Sequence, residues 1–398
     1  MSVVVKAGKK MQRPSPPLRV LDLFSGLGGI GMALRGVVKT AAYCEIEPNA
    51  AKMLENNMRA GHVDRAPVHG DVRALGAKEM KGVDMIVAGF PCTGFSVLGL
   101  REGFDNSGSS LFYEIVRLVK LARPPILFLE NVSAIVRMGG LNTIIAELNG
   151  NLGYEMRWVC ATGFHVGALS KRMRWFCLAI SPEFMKSRPN FAMDVGKYAP
   201  FLGKWRSEPP PRLIKGKSGP GVIRYGVIGN SVMPDVVRLA FLFLASGGRV
   251  RNLQHGETVM RLEPRMLIEG LQVARKNRDG SAGDLCGAVD AAGQRVAFAN
   301  PFVRQTPADF KLRFTPDGAK ESVIGMSDPV FRGAWATPRR SNTSPCRVFT
   351  DRCIGDLPTQ QVFEERTPVS RRTAASGYVI NPEFAEWLMG LPRGSTEV

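Results

Sequence analysis

The sequence predicts an α/β chain: a doubly wound, mostly parallel sheet followed by a second, smaller and irregular domain. Three observations carry this. Short β-branched and aromatic runs alternate with segments of three-and-four apolar spacing over more than 100 residues. The first of those runs opens directly into a glycine-rich turn. After Gly247 the alternation stops, and short polar segments with scattered Gly, Pro and Arg take over.

The elements follow in order. Residues 1–17 carry lysines without the apolar stretch of a secretory signal and read as a basic flexible tail. Leu18–Phe24, Thr40–Glu45, Val83–Gly89 and Pro125–Glu130 read as buried strands, each closed by turn residues. Between them Ile30–Arg35, Pro48–Ala60 and Leu111–Leu121 have helical periodicity. Tyr154–Ala161 and Arg174–Ile180 are closely spaced strands, expected as a hairpin at one edge of the sheet. Residues 181–220, with three consecutive prolines at 209–211, form a connector. Val222–Ile228 reads as a further strand, turning at Gly229-Asn230 into the helix Pro234–Ala245. The main domain is therefore 18–247 and the second 248–398.

Composition narrows the partners. The chain has 398 residues with 53 Lys and Arg against 35 Asp and Glu, a net charge of +18 that favours a polyanion such as nucleic acid. Residues 1–150 hold 18 basic and 13 acidic residues, leaving 35 and 22 for 151–398, so net charges are +5 and +13. Arginines between Arg332 and Arg372 sit among Ser, Thr and Pro, a setting suited to phosphate and guanine-edge contacts. Seven cysteines without Cys-x-x-Cys, and only four histidines, make a zinc site or disulfide framework improbable. The longest apolar run falls short of the roughly 18 residues of a membrane helix. Reduced thiols, an intracellular location, no metal and a monomer are the expectations.

The turn Ser25-Gly26-Leu27-Gly28-Gly29-Ile30-Gly31 fits a strand-to-helix nucleotide turn, with Glu45 placed to take ribose hydroxyls. That pattern alone suits a nicotinamide dinucleotide equally well. Asp22 argues otherwise, since a carboxylate inside the turn repels a pyrophosphate and attracts an amino or sulfonium group. Asp71 closes the next candidate strand and could accept an adenine amino hydrogen. Three acids at successive strand ends suit a cationic, phosphate-free nucleoside such as S-adenosylmethionine; their alternative use is helix capping. Further along, Phe90-Pro91-Cys92 puts a thiol at the C-terminal end of a parallel strand. Glu130-Asn131-Val132 and Arg172-Met173-Arg174 converge on the same edge.

These blocks resemble the C5-cytosine-specific DNA methyltransferase family: Asp-Leu-Phe-Ser-Gly-Leu-Gly-Gly at 22–29, Gly-Phe-Pro-Cys at 89–92, Glu-Asn-Val at 130–132, Arg-x-Arg at 172–174 and Gly-Asn-Ser-Val at 229–232. The resemblance implies a Rossmann-like, S-adenosylmethionine-dependent methyltransferase sheet, with a target-recognition domain and duplex DNA between the two. It implies Cys92 as the nucleophile at cytosine C6, Glu130 on N3 and the amino group, Arg174 on the base carbonyl, and Arg172 steadying the cysteine. The Phe90 carbonyl and Ser96 would contact the flipped nucleotide. Phe24, Ser25, Gly26, Gly28, Gly29 and Ile30 would surround the cofactor's methionine part. Glu45 and Ile46 would take the ribose and adenine, with Asp71 and Val72. Pro91, Asn230, Ser231 and Val232 would complete the pocket.

Three departures from the family pattern stand out. Thr93 follows the cysteine where many members have Gln. Leu169-Ser170 precedes the arginines where Pro-Gln or Pro-His is frequent. The Gly-Asn-Ser-Val block, usually found after the recognition domain, comes before it here, and the piece resembling the family's post-recognition segment, Ile380 to Pro392, stands at the end. Phe384–Leu391 reads equally as a core-packing amphipathic helix. A transfer-RNA cytosine methyltransferase and a non-catalytic DNA-binding relative are the alternative functions.

Overall fold

The computed structural model describes residues 17–91, 111–137, 140–166, 172–191, 220–246 and 378–398, with positions 168, 170, 195, 198 and 210 and the short strands at 213–215, 253–255, 258–261, 272–274, 312–316 and 322–324. Its centre is one sheet of β1 (Leu18–Leu23), β2 (Val38–Cys44), β3 (Val68–His69), β4 (Met85–Gly89), β5 (Ile126–Val132), β6 (Glu155–Ala161) and β7 (Arg174–Ile180). The spatial order is β6-β7-β5-β4-β1-β2-β3, with strand Gln272–Ala274 added outside β6. β1 to β5 run parallel, whereas β7 is antiparallel to both β5 and β6. Helices α1 (Gly29–Leu34), α2 (Pro48–Arg59) and α3 (Leu111–Ala122) make the crossovers among the parallel strands. The order reverses at β1, so the crevice beyond the C-terminal ends of β1 and β4 is where such a sheet takes its ligand.

Strand periodicity sorts the side chains. Leu21, Leu23, Ile86, Ala88, Leu127 and Leu129 join the core on one face of the sheet, while Val20, Met85, Val87, Ile126, Phe128 and Phe176 join the other. A period of two then places Asp22, Glu130 and Arg174 on the second face, beside Val20, Phe128 and Phe176. Helix Pro234–Ala245 covers that face with every residue buried, and its Phe241 ring meets Phe128 edge-on at 5.3 Å. Its Arg238 donates to the Ala33 and Arg35 carbonyls at 2.9 and 3.1 Å, satisfying the C-terminal end of α1.

Three expectations require correction. Val222–Ile228 is not a strand: it lies within a helix, Pro220–Asn230, because Tyr225 and Ile228 reach the core from one helical face. Its β-branched run imitates a strand, and tertiary packing overrides that preference. The β6–β7 pair is not at the edge, since β7 inserts beside β5 and strand Gln272–Ala274 covers β6. Residues 181–220 are not wholly irregular, for they include helix Pro182–Ser187 and strand Leu213–Lys215. Among the described residues one stretch, Ile223–Ala245, is long and apolar enough to cross a bilayer. Its most apolar window is 78% buried, and Ser231–Met233 splits it into two helices.

Four short strands between Leu253 and Ile324 pair antiparallel as a separate sheet. The chain then ends in helix Pro382–Leu388, whose Phe384, Ala385 and Leu388 enter the same core as Phe128 and Phe241. Arg238→Met is expected to lower stability by about 2 kcal/mol, because it leaves two carbonyls at the end of α1 without their donor. Urea unfolding of both proteins measures it.

Candidate active site

Backbone geometry shapes the glycine turn first. Phe24 and Gly26 have left-handed backbones (φ 56° and 55°), a conformation uncommon for phenylalanine. Gly28, at φ 92°, begins α1, and a side chain there would meet Leu54 and Val63 at 2.9 and 3.0 Å. A Cβ on Gly29 would lie 2.7 Å from Val232 Cγ2, so the Gly-Asn-Ser-Val segment packs directly against the turn. Ser25 locks the turn to β2: its N–H donates to the Cys44 carbonyl at 3.1 Å, and its Oγ accepts from Cys44 N–H at 3.2 Å.

The three acids proposed for this pocket occupy three different environments. Asp22 is 1% exposed, and neither carboxyl oxygen has a hydrogen-bond partner among the described residues. Burial, reinforced by the nearby Glu45 charge, pushes its pKa up to about 8. Glu45 accepts from Gly26 N–H at 2.6 Å and Glu47 N–H at 2.8 Å, bracing the glycine turn. Burial raises its pKa, and these backbone donors pull the other way. Asp71 caps the short turn Val72–Ala74 and pairs with Arg73 at 2.7 Å, which holds its pKa down. Ile46 follows Glu45 and is, among the described residues, the most exposed large apolar side chain, at 63%. Val72 and Val232 are buried, Asn230 is exposed and Ser231 is half-buried.

Glu130, the fourth acid, sits across Gly89. It is buried and forms an ion pair with Arg174, Nε to Oε1 at 3.1 Å. The reversal of β7 makes this possible, because Val132 at the end of β5 pairs with Arg174 at the start of β7. Burial raises the Glu130 pKa, while Arg174 and then Arg172 oppose that. A Cβ on Gly89 would lie 3.1 Å from Glu130 Oε2 and 3.9 Å from Ile30 Cδ1, so the two halves of the site adjoin there.

Arg172 is 6% exposed and reaches the end of helix Pro220–Asn230. Its Nη2 donates to the carbonyls of Gly229 and Ser231 at 2.9 and 2.6 Å. Phe90 is buried, and its carbonyl accepts from Asn131 Nδ2 at 3.2 Å. Asn131 lies within the Glu-Asn-Val block, and its role as a brace for Phe90 was not anticipated. Pro91 is half-buried. Cys92 and Ser96 lie outside the described residues.

Sheet order and the glycine turn together define a Rossmann-like fold with a ligand crevice at the ends of β1 and β4. Residues 18–208 match the family of C-5 cytosine-specific DNA methylases. The Type II methyltransferase M.CviJI of Paramecium bursaria Chlorella virus IL3A is 29% identical over 94% of this chain and 96% of its own. The Type II methyltransferase M.MspI of Moraxella sp is 33% identical over 46% of this chain and 44% of its own. M.HhaI of Haemophilus parahaemolyticus is 30% identical over 40% and 48%. The match thus spans nearly all of the viral enzyme and about half the length of these two bacterial ones. Among solved structures, an S. pombe Dnmt2 methyltransferase aligns at a TM-score of 0.35 and 24% identity, over 41% of this chain and 51% of that one. Over residues 18–208 the chain is similar to the C-5 cytosine-specific DNA methylases, and its similarity to the viral Type II methyltransferase extends over 94% of its length.

Asp22→Asn tests the buried carboxyl. The native group stays protonated to about pH 8, whereas the unfolded one ionises near 3.8, so ligand-free stability falls as pH rises between those values. The variant should therefore gain stability over the parent progressively from about pH 4 to about pH 8 and then level off. Melting curves across that range measure it; a pH-independent difference contradicts the assignment.

Proposed function

We propose that this enzyme transfers a methyl group from S-adenosylmethionine to C5 of a cytosine flipped out of duplex DNA, through a transient bond between Cys92 and C6. The carrying observation is the buried Glu130–Arg174 pair at the crevice edge, adjoining the glycine turn across Gly89. A carboxyl and a guanidinium so joined match the hydrogen-bonding edge of cytosine. The Glu130 carboxyl takes N3 and the exocyclic amine, and Arg174 takes the O2 carbonyl.

The residues of the turn fit the cofactor. Asp22, an orphaned buried carboxyl, suits a cationic group and would disfavour a pyrophosphate. Glu45 stands at the end of β2 for the ribose, and exposed Ile46 offers adenine an apolar face. Phe24, Ser25, Gly26, Gly28, Gly29 and Ile30 would line the methionine part; Asp71, Val72, Pro91, Asn230, Ser231 and Val232 would close the pocket. When bound, S-adenosylmethionine supplies an electrophilic methyl group.

Cytosine C5 is a poor nucleophile until C6 carries a bond, and Cys92 as thiolate supplies it. As sulfur adds to C6, a raised-pKa Glu130 can deliver its proton to N3, keeping the ring neutral. Arg174 keeps Glu130 in place and holds O2. After methylation the C5 proton passes to solvent, the sulfur–C6 bond breaks to release the thiolate, and N3 returns its proton to Glu130, restoring aromaticity. C6 is shielded inside a duplex, hence the flipped base. The Phe90 carbonyl, oriented by Asn131, and Ser96 would hold the flipped nucleotide.

We further propose that 18–247 forms the catalytic domain and that 248–398, with 21 Lys and Arg against 17 Asp and Glu, reads the DNA through arginines such as those between Arg332 and Arg372. Incubation with labelled S-adenosylmethionine and either duplex DNA or transfer RNA tests the reading. Duplex DNA is expected to take label, Cys92→Ala to abolish transfer, and Glu130→Gln to slow it at least about 100-fold. Label entering only transfer RNA, or transfer surviving Cys92→Ala, contradicts the proposal. DNA affinity should fall steeply with salt as Lys and Arg contacts release counterions, and a flat salt dependence counts against such contacts.

A further inference from the structure

The last eighteen residues of the chain fold back onto the cofactor turn. Glu386, on helix Pro382–Leu388, is fully buried and its carboxyl is saturated: it accepts from Gly394 N–H at 2.8 Å, Thr396 N–H at 2.9 Å and the Thr396 hydroxyl. Arg224 supplies the charge partner at 2.9 Å and also donates to Thr396 Oγ1 at 2.8 Å. A buried carboxylate so closed is costly to disrupt and holds the loop at 389–396 in one conformation. Arg224 belongs to helix Pro220–Asn230, the helix whose end Arg172 grips.

The loop then meets α2. Asn57 on α2 is 1% exposed, and its Nδ2 donates both hydrogens to main-chain carbonyls, Leu27 and Ser395, each at 3.0 Å. Leu27 is the centre of the glycine turn, 338 residues in sequence separate Asn57 from Ser395, and neighbouring Asn56 donates to the Glu397 carbonyl at 2.9 Å. One side-chain amide thus ties the turn to the end of the chain.

We infer that residues 381–398 are a positioning element for the cofactor turn, with Asn57 the positioning residue that couples Ser395 to Leu27 and Glu386 the anchor that fixes Ser395. The inference rests on the glycine turn holding the cofactor. Without the Asn57 amide, the Leu27 carbonyl loses its donor and the turn its fixed height over β1. Cofactor affinity falls, while the DNA surface is untouched.

The test measures binding of S-adenosylhomocysteine by calorimetry to the full-length protein and its variants Asn57→Ala, Glu386→Gln and the double variant. Leu118→Ala, a cavity in the core on the other face of the sheet, serves as a control for stability loss alone. Asn57→Ala and Glu386→Gln are each expected to weaken binding about tenfold, with the double variant no weaker than Asn57→Ala alone and DNA affinity unchanged. Leu118→Ala should lower the melting temperature without that loss. Unchanged affinity in Asn57→Ala, or a double variant weakened by the product of the two single effects, overturns the inference. If Glu386→Gln does not fold, Asn57→Ala against Leu118→Ala decides. A parent protein that does not bind S-adenosylhomocysteine overturns the cofactor assignment itself, and the inference with it.

Discussion

A carboxylate buried at the end of a parallel strand needs a cation beside it, and Glu130 has one in Arg174 at 3.1 Å. That requirement constrains the topology. In a wholly parallel sheet the first residue of a seven-residue strand lies at the far end from the ligand crevice, about 20 Å away at roughly 3.3 Å per residue. Because β7 runs against β5, its first residue lies at the crevice. The reversed strand is thus what lets an arginine that opens a strand serve a site built from strand C-termini. Arg172, two residues earlier, extends that arrangement by gripping the end of helix Pro220–Asn230.

Residue type alone does not assign work to the acids at this edge; their surroundings do. Asp71 is exposed and neutralised by its neighbour Arg73, whereas Glu45 is held by backbone donors. Asp22 has neither, and burial holds its pKa up to about 8. Glu130 lies between these extremes: burial favours its proton and two arginines oppose it. A group balanced in this way suits proton delivery to a base. Glu386 is a contrasting case, because its partners close every oxygen and leave it a structural anchor.

The parallel strands were legible because both faces are covered, which yields continuous apolar runs such as Leu127-Phe128-Leu129. The turn and the Glu-Asn-Val block were legible because glycine and buried charge at strand ends are unusual. Helix Pro220–Asn230 was not, since Val222, Ile223, Val227 and Ile228 carry strand preference and only packing reveals the helix. Nor was Asn57: an amide in an amphipathic helix is ordinary, and its partners are main-chain carbonyls at distant positions. The insertion of β7 was equally hidden, because sequence spacing shows that two strands are close without showing which neighbour each one takes.

The central claim is that Glu130, held by Arg174, assists a covalent attack by Cys92 on cytosine. Duplex DNA carrying 5-fluorocytosine at the target position tests this directly, because fluorine cannot leave as the C5 proton does and the bond to sulfur persists. With S-adenosylmethionine present, mass spectrometry of the digested complex should find one nucleotide adduct on the peptide containing Cys92. Glu130→Gln should form that adduct at least about 100 times more slowly. An adduct on another residue, equal trapping rates in the two proteins, or no adduct from a protein that methylates unsubstituted DNA would contradict the account.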